Sequence, residues 1–386
     1  MKDAILVINA GSSSIKFSIF SSTLKLMYHG EIEKIFESPI LTILDATHSE
    51  IVKQEIQSAG YELSLSTFFD WLNQQADTIK LGSAGHRVVH GGAIFYHPTL
   101  ITDNVISDME SLIPLAPLHQ PYNIEAIKMI KKKFPNLKQV ACFDTTFHQT
   151  QDKLATLFAI PKNLTDENII RYGFHGISYE YISSVMSAYL GDQANTRVIV
   201  AHLGSGASMC AMYQKKSVAT TMGFTALDGL MMGKRCGHID PGVLLYLMQE
   251  KHYTASTIQD LLYNKSGLLG VSGISNDVRE LTSSTDPLAN EAIELFCYRA
   301  ALEMGSLCAA LNGCNAFIFT AGIGENSAIV RKKICDRLTW LGIKICNLAN
   351  QNNQSIISDK NSLITVCVIP TNEELMIAKH TNQTQE

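Results

Sequence analysis

An internal repeat constrains this chain more than any other feature. Ile5–Phe20 reads ILVINAGSSSIKFSIF, and Val198–Tyr213 reads VIVAHLGSGASMCAMY. Each copy is an apolar strand, one polar residue (Asn9 or His202), a Gly-Ser loop and a second strand. Aligning Gly11 with Gly204 sets the copies 193 residues apart, half of the 386. One such hairpin per half predicts a duplicated fold with a cleft between the halves. Short β-rich runs predict strands at Ala4–Ile8, Lys16–Phe20, Ala84–Val89, Gln139–Phe143, Val198–His202, Ala207–Tyr213, Ala316–Thr320 and Ile364–Ile369. Helical patterns at Asn123–Lys133, Tyr179–Tyr189 and Asn290–Leu311 alternate with them, which argues an α/β class.

Several other readings fall away. Met304–Gly324 has 21 residues without a charge, long enough for a membrane span, but Asn312, Gly313, Cys314 and Asn315 interrupt it. A helix ending near Gly313 and a buried strand after it fit better. The N-terminal apolar run is broken by Asn9 and is too short for a signal sequence. A net charge of −5 excludes a basic nucleic-acid surface as the main theme. Nine Cys with no CxxC spacing give neither a disulfide framework nor a zinc site, so we expect reduced, mostly buried thiols in a cytoplasmic protein. Charged residues are only 17% of the chain, which points to surface hidden in a large core or between subunits. Asn347–Ser362 reads as a surface loop, and the polar tail after Lys379 as frayed.

Three Gly-rich loops have the composition that cradles phosphate, since tight turns expose backbone N–H groups and hydroxyls. Asn9-Ala-Gly11-Ser12-Ser13-Ser14-Ile-Lys16 adds a cation. His202-Leu203-Gly204-Ser205-Gly206 has two glycines where a backbone approaches something closely. Gly322-Ile323-Gly324-Glu325-Asn326 follows a buried strand and opens the next helix, so a nucleotide could lie against that N-terminus. No GxGxxG follows a strand, which disfavours a dinucleotide oxidoreductase, and there is neither a GxxxxGK[ST] loop nor HExxH.

The charged groups cluster as well. Arg87 lies between His86 and His90 at the end of a strand, where a buried ion pair and a ligand contact remain equal alternatives. Asp144 follows a strand directly, where open α/β sheets collect ligand groups. His175 stands in a glycine-flanked aromatic loop, and Arg235 in a second glycine-rich loop. Glu373 and Glu374 precede the last helix. Cations near phosphate loops suit phosphoryl transfer, in which a hydroxyl acceptor needs a base but an ionised carboxylate does not.

The motifs NAGSSSIK, GHRVVHGG, FDTTFH, RYGFHGIS, AHLGSGAS, MGFTALDGLMMGKRCG, FTAGIGEN and IPTNEEL, in that order from Ile5 to Ile377, closely resemble the acetate kinase family. The resemblance implies an ATP:acetate phosphotransferase with two duplicated ribonuclease H-like domains around an ATP cleft. It implies residues 1–145 with 373–386 as the acyl and phosphate side. Residues 146–372 would carry the nucleotide site and the dimer interface of a homodimer. It implies ATP/ADP as co-substrate, acetate and acetyl phosphate as substrates, and Mg²⁺ (with Mn²⁺ as an alternative) positioned by Asn9 and Glu373. Ser12, Ser14 and Lys16 would face phosphate. Arg87 and Arg235 would bind the acyl carboxylate and the migrating phosphoryl group. Asp144 would hold Arg87, and His175 with Arg235 would stabilise the transition state, with His119 nearby. His202, Leu203, Gly204, Ser205 and Gly206, then Asp277, Val278 and Arg279, and Gly322, Ile323, Gly324, Glu325 and Asn326 would hold the nucleotide. Val89, Leu118, Phe174 and Ala226 would line the acyl pocket.

Three positions depart from the family pattern. Ser205 replaces the usual Asn, Lys234 and His238 replace Thr and Asp around Arg235, and Ala226 replaces Pro in the pocket wall. A smaller wall admits one more methylene, which keeps a propionate kinase as the nearest alternative. A non-enzymatic actin-like ATP-binding protein is the alternative of another class. It predicts loss of the acyl-site groups, yet Arg87, Asp144, His175 and Arg235 are all present.

Overall fold

The computed structural model describes residues 2–75 and 78–384, with the side chain of Lys2 excepted. The domain expectation therefore includes a few positions (1, 76–77 and 385–386) outside the described residues. The chain divides into two compact units, Met1–Thr146 with Asn372–Glu386, and Phe147–Thr371.

The first unit holds β1 (Lys2–Ala10), β2 (Ile15–Ser21), β3 (Leu26–Glu33), β4 (Ile40–Asp45), β5 (Glu50–Glu55), β6 (Ile79–Val88), β7 (Thr99–Leu100) and β8 (Lys138–Phe143). They form one sheet in the order β5-β4-β3-β2-β1-β6-β8-β7. The second holds β9 (Arg197–Leu203), β10 (Ala207–Tyr213), β11 (Lys216–Thr220), β12 (Ala316–Thr320) and β13 (Thr365–Val368), in the order β11-β10-β9-β12-β13. The duplication is visible in this order. In each unit the repeated hairpin pairs antiparallel, β1 with β2 and β9 with β10. In each, the hairpin's first strand also takes a parallel neighbour, β6 or β12, which takes a second, β8 or β13. The class is therefore mixed α/β, as the sequence predicts. The central parallel strand β12, Ala-Phe-Ile-Phe-Thr, is buried throughout, as a strand covered on both faces is. The 25-residue helix Pro287–Leu311 buries Ala292, Phe296, Ala300, Met304 and Leu307 along one stripe and is N-capped by Asp286. Asn312 ends it in the left-handed conformation, at φ 55°. Among the described residues no helix is long and apolar enough to cross a membrane. The nine cysteines are buried or half-buried, and none is exposed.

Three expectations are corrected. The helix expected over Tyr179–Tyr189 is two helices, Gly176–Val185 and Ser187–Leu190. The stretch Asn347–Ser362 is not simply a surface loop. Asn347–Gln351 is helical, Ile357 is fully buried, and Ile356 bridges to Cys367. It folds inward because Asn350 accepts from Arg331 Nε at 2.7 Å and donates to Ala328 O at 2.8 Å. The tail after Lys379 is not frayed, because the helix Glu373–Gln383 continues through it. Thr381 is fully buried against Gly85, where a Cβ would come within 2.1 Å of Thr381 Oγ1.

Buried histidines give the fold a pH dependence. Burial lowers His86, His90 and His148 to about 4 from 6.5. The unfolded chain therefore binds more protons than the folded one between those values. Their contribution to stability is level above about 6.5 and is lost as pH drops through that window. At about pH 5 the expected loss is about 2 kcal/mol per histidine. Urea midpoints at about pH 7 and about pH 5 check this, and equal midpoints would contradict it.

Candidate active site

In the first unit the Gly-Ser turn is closed by Gly11 N–H donating to Ser14 O at 2.9 Å, and Asn9 lies directly across the ladder from Lys16. Ser12 and Lys16 are exposed, whereas Asn9 and Ser14 are half-buried. Strands β6 and β8 run parallel with Val88 opposite Phe143, so Arg87 and Asp144 meet although 57 residues separate them. Arg87 Nη2 donates to Asp144 Oδ2 at 2.7 Å, and Nε lies 3.1 Å from both carboxylate oxygens. Asp144 N–H donates to Val88 O at 3.0 Å, which fixes the acid at the strand end. Arg87 Nη1 lies 3.6 Å from Glu373 Oε2. Burial works against the Arg87 charge, but Asp144 and then Glu373 outweigh it and hold the group above its ordinary value. Arg87 is thus fixed both in charge and in direction. Asn372 caps the helix that Glu373 opens, its Oδ1 accepting from Leu375 N–H at 2.9 Å, and the first-turn acids suit the helix dipole. Burial, then Glu373, raises the neighbouring Glu374. Val89 N–H donates to Asn123 Oδ1 at 3.1 Å, and His119 stands just before the helix Gln120–Lys133, half-buried like Leu118.

Among the described residues no group of three or more His, Cys, Asp or Glu is arranged to hold a metal. Asn9 and Glu373 nevertheless fit Mg²⁺. Both present hard oxygen donors, and Mg²⁺ at a phosphate site takes only one or two protein oxygens beside water and phosphate.

In the second unit His175 (φ 58°) precedes the helix Gly176–Val185. Its ring stacks on His202 at 4.3 Å and 22°. His175 Nδ1 lies 2.8 Å from Ser208 Oγ, and His202 Nδ1 lies 2.8 Å from Ser178 Oγ. Phe174 is buried, and its carbonyl accepts from His148 Nε2 at 2.9 Å. The loop after His202 turns tightly, with Gly204 N–H donating to Gly206 O at 3.0 Å. A Cβ at Gly206 would sit 3.3 Å from His175 Nε2, so the glycine gives the ring room.

Arg235 is half-buried on a loop pinned by backbone bonds from Ser266 N–H to Lys234 O and from Met232 N–H to Arg235 O. A side chain at Gly267 would strike Met232 O at 2.2 Å. Arg235 Nη1 donates to Ala226 O at 3.0 Å, and its guanidinium lies 5.8 Å from the Tyr263 ring centroid. The departure His238 faces Asp228 at 3.7 Å, and Asp228 also pairs with Arg171 at 3.2 Å. Asp277 caps the helix Val278–Ser283 and holds the exposed Arg279 through Nε and Nη2.

Gly322–Asn326 lies within the helix Ala321–Asn326, and a Cβ at Gly322 would meet nothing within 4 Å. Glu325 turns inward, its Oε1 accepting from Ala321 N–H at 2.7 Å and Thr371 N–H at 3.1 Å. Asn326 Nδ2 donates to Gly322 O at 2.9 Å. Both side chains therefore brace the loop.

Sequence reasoning missed Ser178, Ser208 and Arg331. Arg331 is fully buried, meets no carboxylate among the described residues, and donates to Gly324 O, Glu325 O, Asn350 and Asn353. In the sequence Arg331 opens the basic run Arg331-Lys332-Lys333, which reads as a solvated helix face and hides the buried group.

The model of the acetokinase family matches residues 4–379. A curated acetate kinase of Rhodopseudomonas palustris (strain TIE-1) is 47% identical, with 98% of each chain covered. One of Rickettsia felis is 45% identical, again with 98% of each covered. Among solved structures, a propionate kinase from Francisella tularensis subsp. tularensis SCHU S4 has a TM-score of 0.93 at 40% identity over 99% of both chains. An acetate kinase from Porphyromonas gingivalis has a TM-score of 0.89 at 34% identity over 100% of both.

Proposed function

The chain belongs to the acetokinase family, and on that premise we propose that it transfers the γ-phosphoryl group of ATP reversibly to acetate, giving acetyl phosphate and ADP. A carboxylate oxygen of acetate attacks the γ-phosphorus in line as the bond to the β-phosphate oxygen breaks. Acetate is ionised at neutral pH, so no base has to remove a proton. The observation that carries the reading is the Arg87–Asp144–Glu373 cluster, which keeps a guanidinium charged and aimed at the ends of two parallel strands.

Arg87 binds the acyl carboxylate or the migrating group, and Asp144 acts by orienting it. Arg235 carries the second positive charge, and His175 donates to the transferring phosphoryl oxygens. Lys16, Ser12 and Ser14 face phosphate in the first unit. His202–Gly206, Asp277–Arg279 and the open face at Gly322 take the nucleotide in the second. Asn9 and Glu373 hold Mg²⁺, which supplies charge neutralisation on the phosphates when bound.

Val89, Leu118, Phe174 and Ala226 line the acyl pocket in this reading, and Ala226 carries the specificity question. One methylene is worth about 1–3 kcal/mol of discrimination, and alanine leaves more room than the family's proline. The expected result of a carboxylate panel is ADP release with acetate preferred and propionate used appreciably. A kcat/KM for propionate more than about a thousandfold below acetate would overturn the pocket argument. No acetate-dependent ADP at all would overturn the function.

A homodimer and a cytoplasmic location complete the reading. The helix Pro241–Gln249 has no buried residue, yet it carries Val243, Leu245, Tyr246 and Met248, all exposed in the single chain. A second copy is its proposed cover. Light scattering should give about twice 42.5 kDa, and 42.5 kDa itself would contradict it. Nine buried or half-buried cysteines without CxxC spacing suit a reducing compartment.

A further inference from the structure

The stacked pair His175 and His202 is built symmetrically. His175 Nδ1 meets Ser208 Oγ at 2.8 Å, and Ser208 Oγ meets Tyr179 Oη at 2.5 Å. His202 Nδ1 meets Ser178 Oγ at 2.8 Å, and Ser178 Oγ meets Thr371 Oγ1 at 2.9 Å. Each imidazole thus has a serine on Nδ1, and each serine a second hydroxyl behind it. Ser178, Ser208 and Tyr179 are fully buried. The opposite ring nitrogens face the Gly-Ser loop. A Cβ at Gly206 would lie 3.3 Å from His175 Nε2, and one at Gly204 would lie 3.9 Å from His202 Nε2.

We propose that these two hydroxyl relays fix both imidazoles as the neutral Nε2–H tautomer, so that the Gly204–Gly206 loop is backed by two N–H donors for phosphate oxygens. Ser208 and Ser178 are then positioning residues of the phosphoryl-transfer site. The inference deepens the reading that His175 and His202 serve the phosphates, and rests on it.

The direction of the relay follows from acidity and from the stack. A phenol is a stronger donor than an aliphatic alcohol, so Tyr179 O–H donates to Ser208 Oγ. The one Ser208 proton then goes to Nδ1 of His175, which must be unprotonated to accept it. For His202 the proposal takes the same direction, Thr371 O–H donating to Ser178 Oγ and Ser178 O–H to Nδ1; two aliphatic alcohols do not differ enough in acidity to set it, so the His202 spectrum tests it separately. Neutral rings also suit the geometry, since two imidazolium charges stacked at 4.3 Å would repel. A precedent lies in the same unit. His148 Nε2 meets the carbonyl of Phe174, which can only accept, so that ring carries its proton on Nε2 and takes the Ser217 hydroxyl on Nδ1 at 2.8 Å. The pattern of a serine on Nδ1 thus occurs three times, and in one case the tautomer is settled by the carbonyl alone.

The test is ¹⁵N NMR of the full chain labelled at histidine near neutral pH, with H175Q and H202Q spectra assigning the two rings among the twelve. The expected spectrum has a pyridine-like Nδ1 and a pyrrole-like Nε2 in both. A pyrrole-like Nδ1, or a doubly protonated ring, would overturn the proposal. S208A should lose the single-tautomer signature at His175 and lower kcat about ten-fold, leaving KM for acetate unchanged. Y179F, which keeps the ring volume, should lower kcat less. An S208A variant with wild-type kcat beside an inactive H175Q would overturn the positioning role. A fully active H175Q would instead overturn the assignment of His175 to the phosphates.

Discussion

Arg235→Ala should lower kcat about a thousandfold while leaving the fold intact. The two halves of this expectation have separate physical sources. The loop does not depend on the side chain for its path, because Met232, Ser266 and Leu268 make backbone bonds to the loop or its flanks, and Gly237 turns at φ 70°. Among what the side chain gives the fold are a hydrogen bond to Ala226 O and a place beside the Tyr263 ring, together worth about 1 kcal/mol. What it gives the reaction is a fixed positive charge where negative charge spreads in the transition state. Removing such a group costs about 4 kcal/mol, which is about a thousandfold in rate. Arg235→Lys keeps the charge but not the planar fork, so it should fall between the two. An unchanged kcat in Arg235→Ala, with the urea midpoint preserved, would remove Arg235 from the chemistry.

Asp144 is the second large lever, and it acts on stability as well as rate. Its side chain is 3% exposed and that of Arg87 19%. Breaking a buried pair by removing one partner leaves the other charge uncompensated, typically at a cost of about 3–5 kcal/mol. Glu373 at 3.6 Å offsets part of that. We therefore expect Asp144→Ala to lose about 3 kcal/mol and to lose most activity, because Arg87 is free to swing toward Glu373. Asp144→Asn keeps the shape and one acceptor, so it should retain more stability while kcat still falls about a hundredfold. Urea denaturation and steady-state kinetics on both variants check this. An Asp144→Ala protein as stable and as active as wild type would contradict it.

Much of this site is legible in the sequence, because charges in apolar surroundings are conspicuous. Arg87 and Asp144 can be singled out as residues, but their pairing is implied only by the family resemblance, because it depends on the parallel register of β6 and β8, which no local pattern states. The repeat marks both hairpins, β1 with β2 and β9 with β10, but says nothing of the strand order around them. The strands that went unseen have physical reasons. β11 follows the turn Gln214-Lys215, whose φ values of 48° and 63° are those of a tight hairpin. Asn-Gly is the usual signal for that turn, and here neither residue is present. β5 is an edge strand with no buried residue, so it carries no core pattern. β3 is continuous, but His29, Gly30 and Glu31 interrupt its apolar pattern. The serines beside His175 and His202 were invisible for another reason. A serine is ordinary in a strand or a helix, and only tertiary contact gives it a histidine.

The central claim is that these groups move a phosphoryl group onto a carboxylate. Incubating the protein with ATP, Mg²⁺, acetate and hydroxylamine tests it directly, since hydroxylamine converts acetyl phosphate to the acyl hydroxamate. The account predicts hydroxamate and ADP in equal amounts, both absent without acetate. ADP released at the same rate with and without acetate, and no hydroxamate, would contradict it.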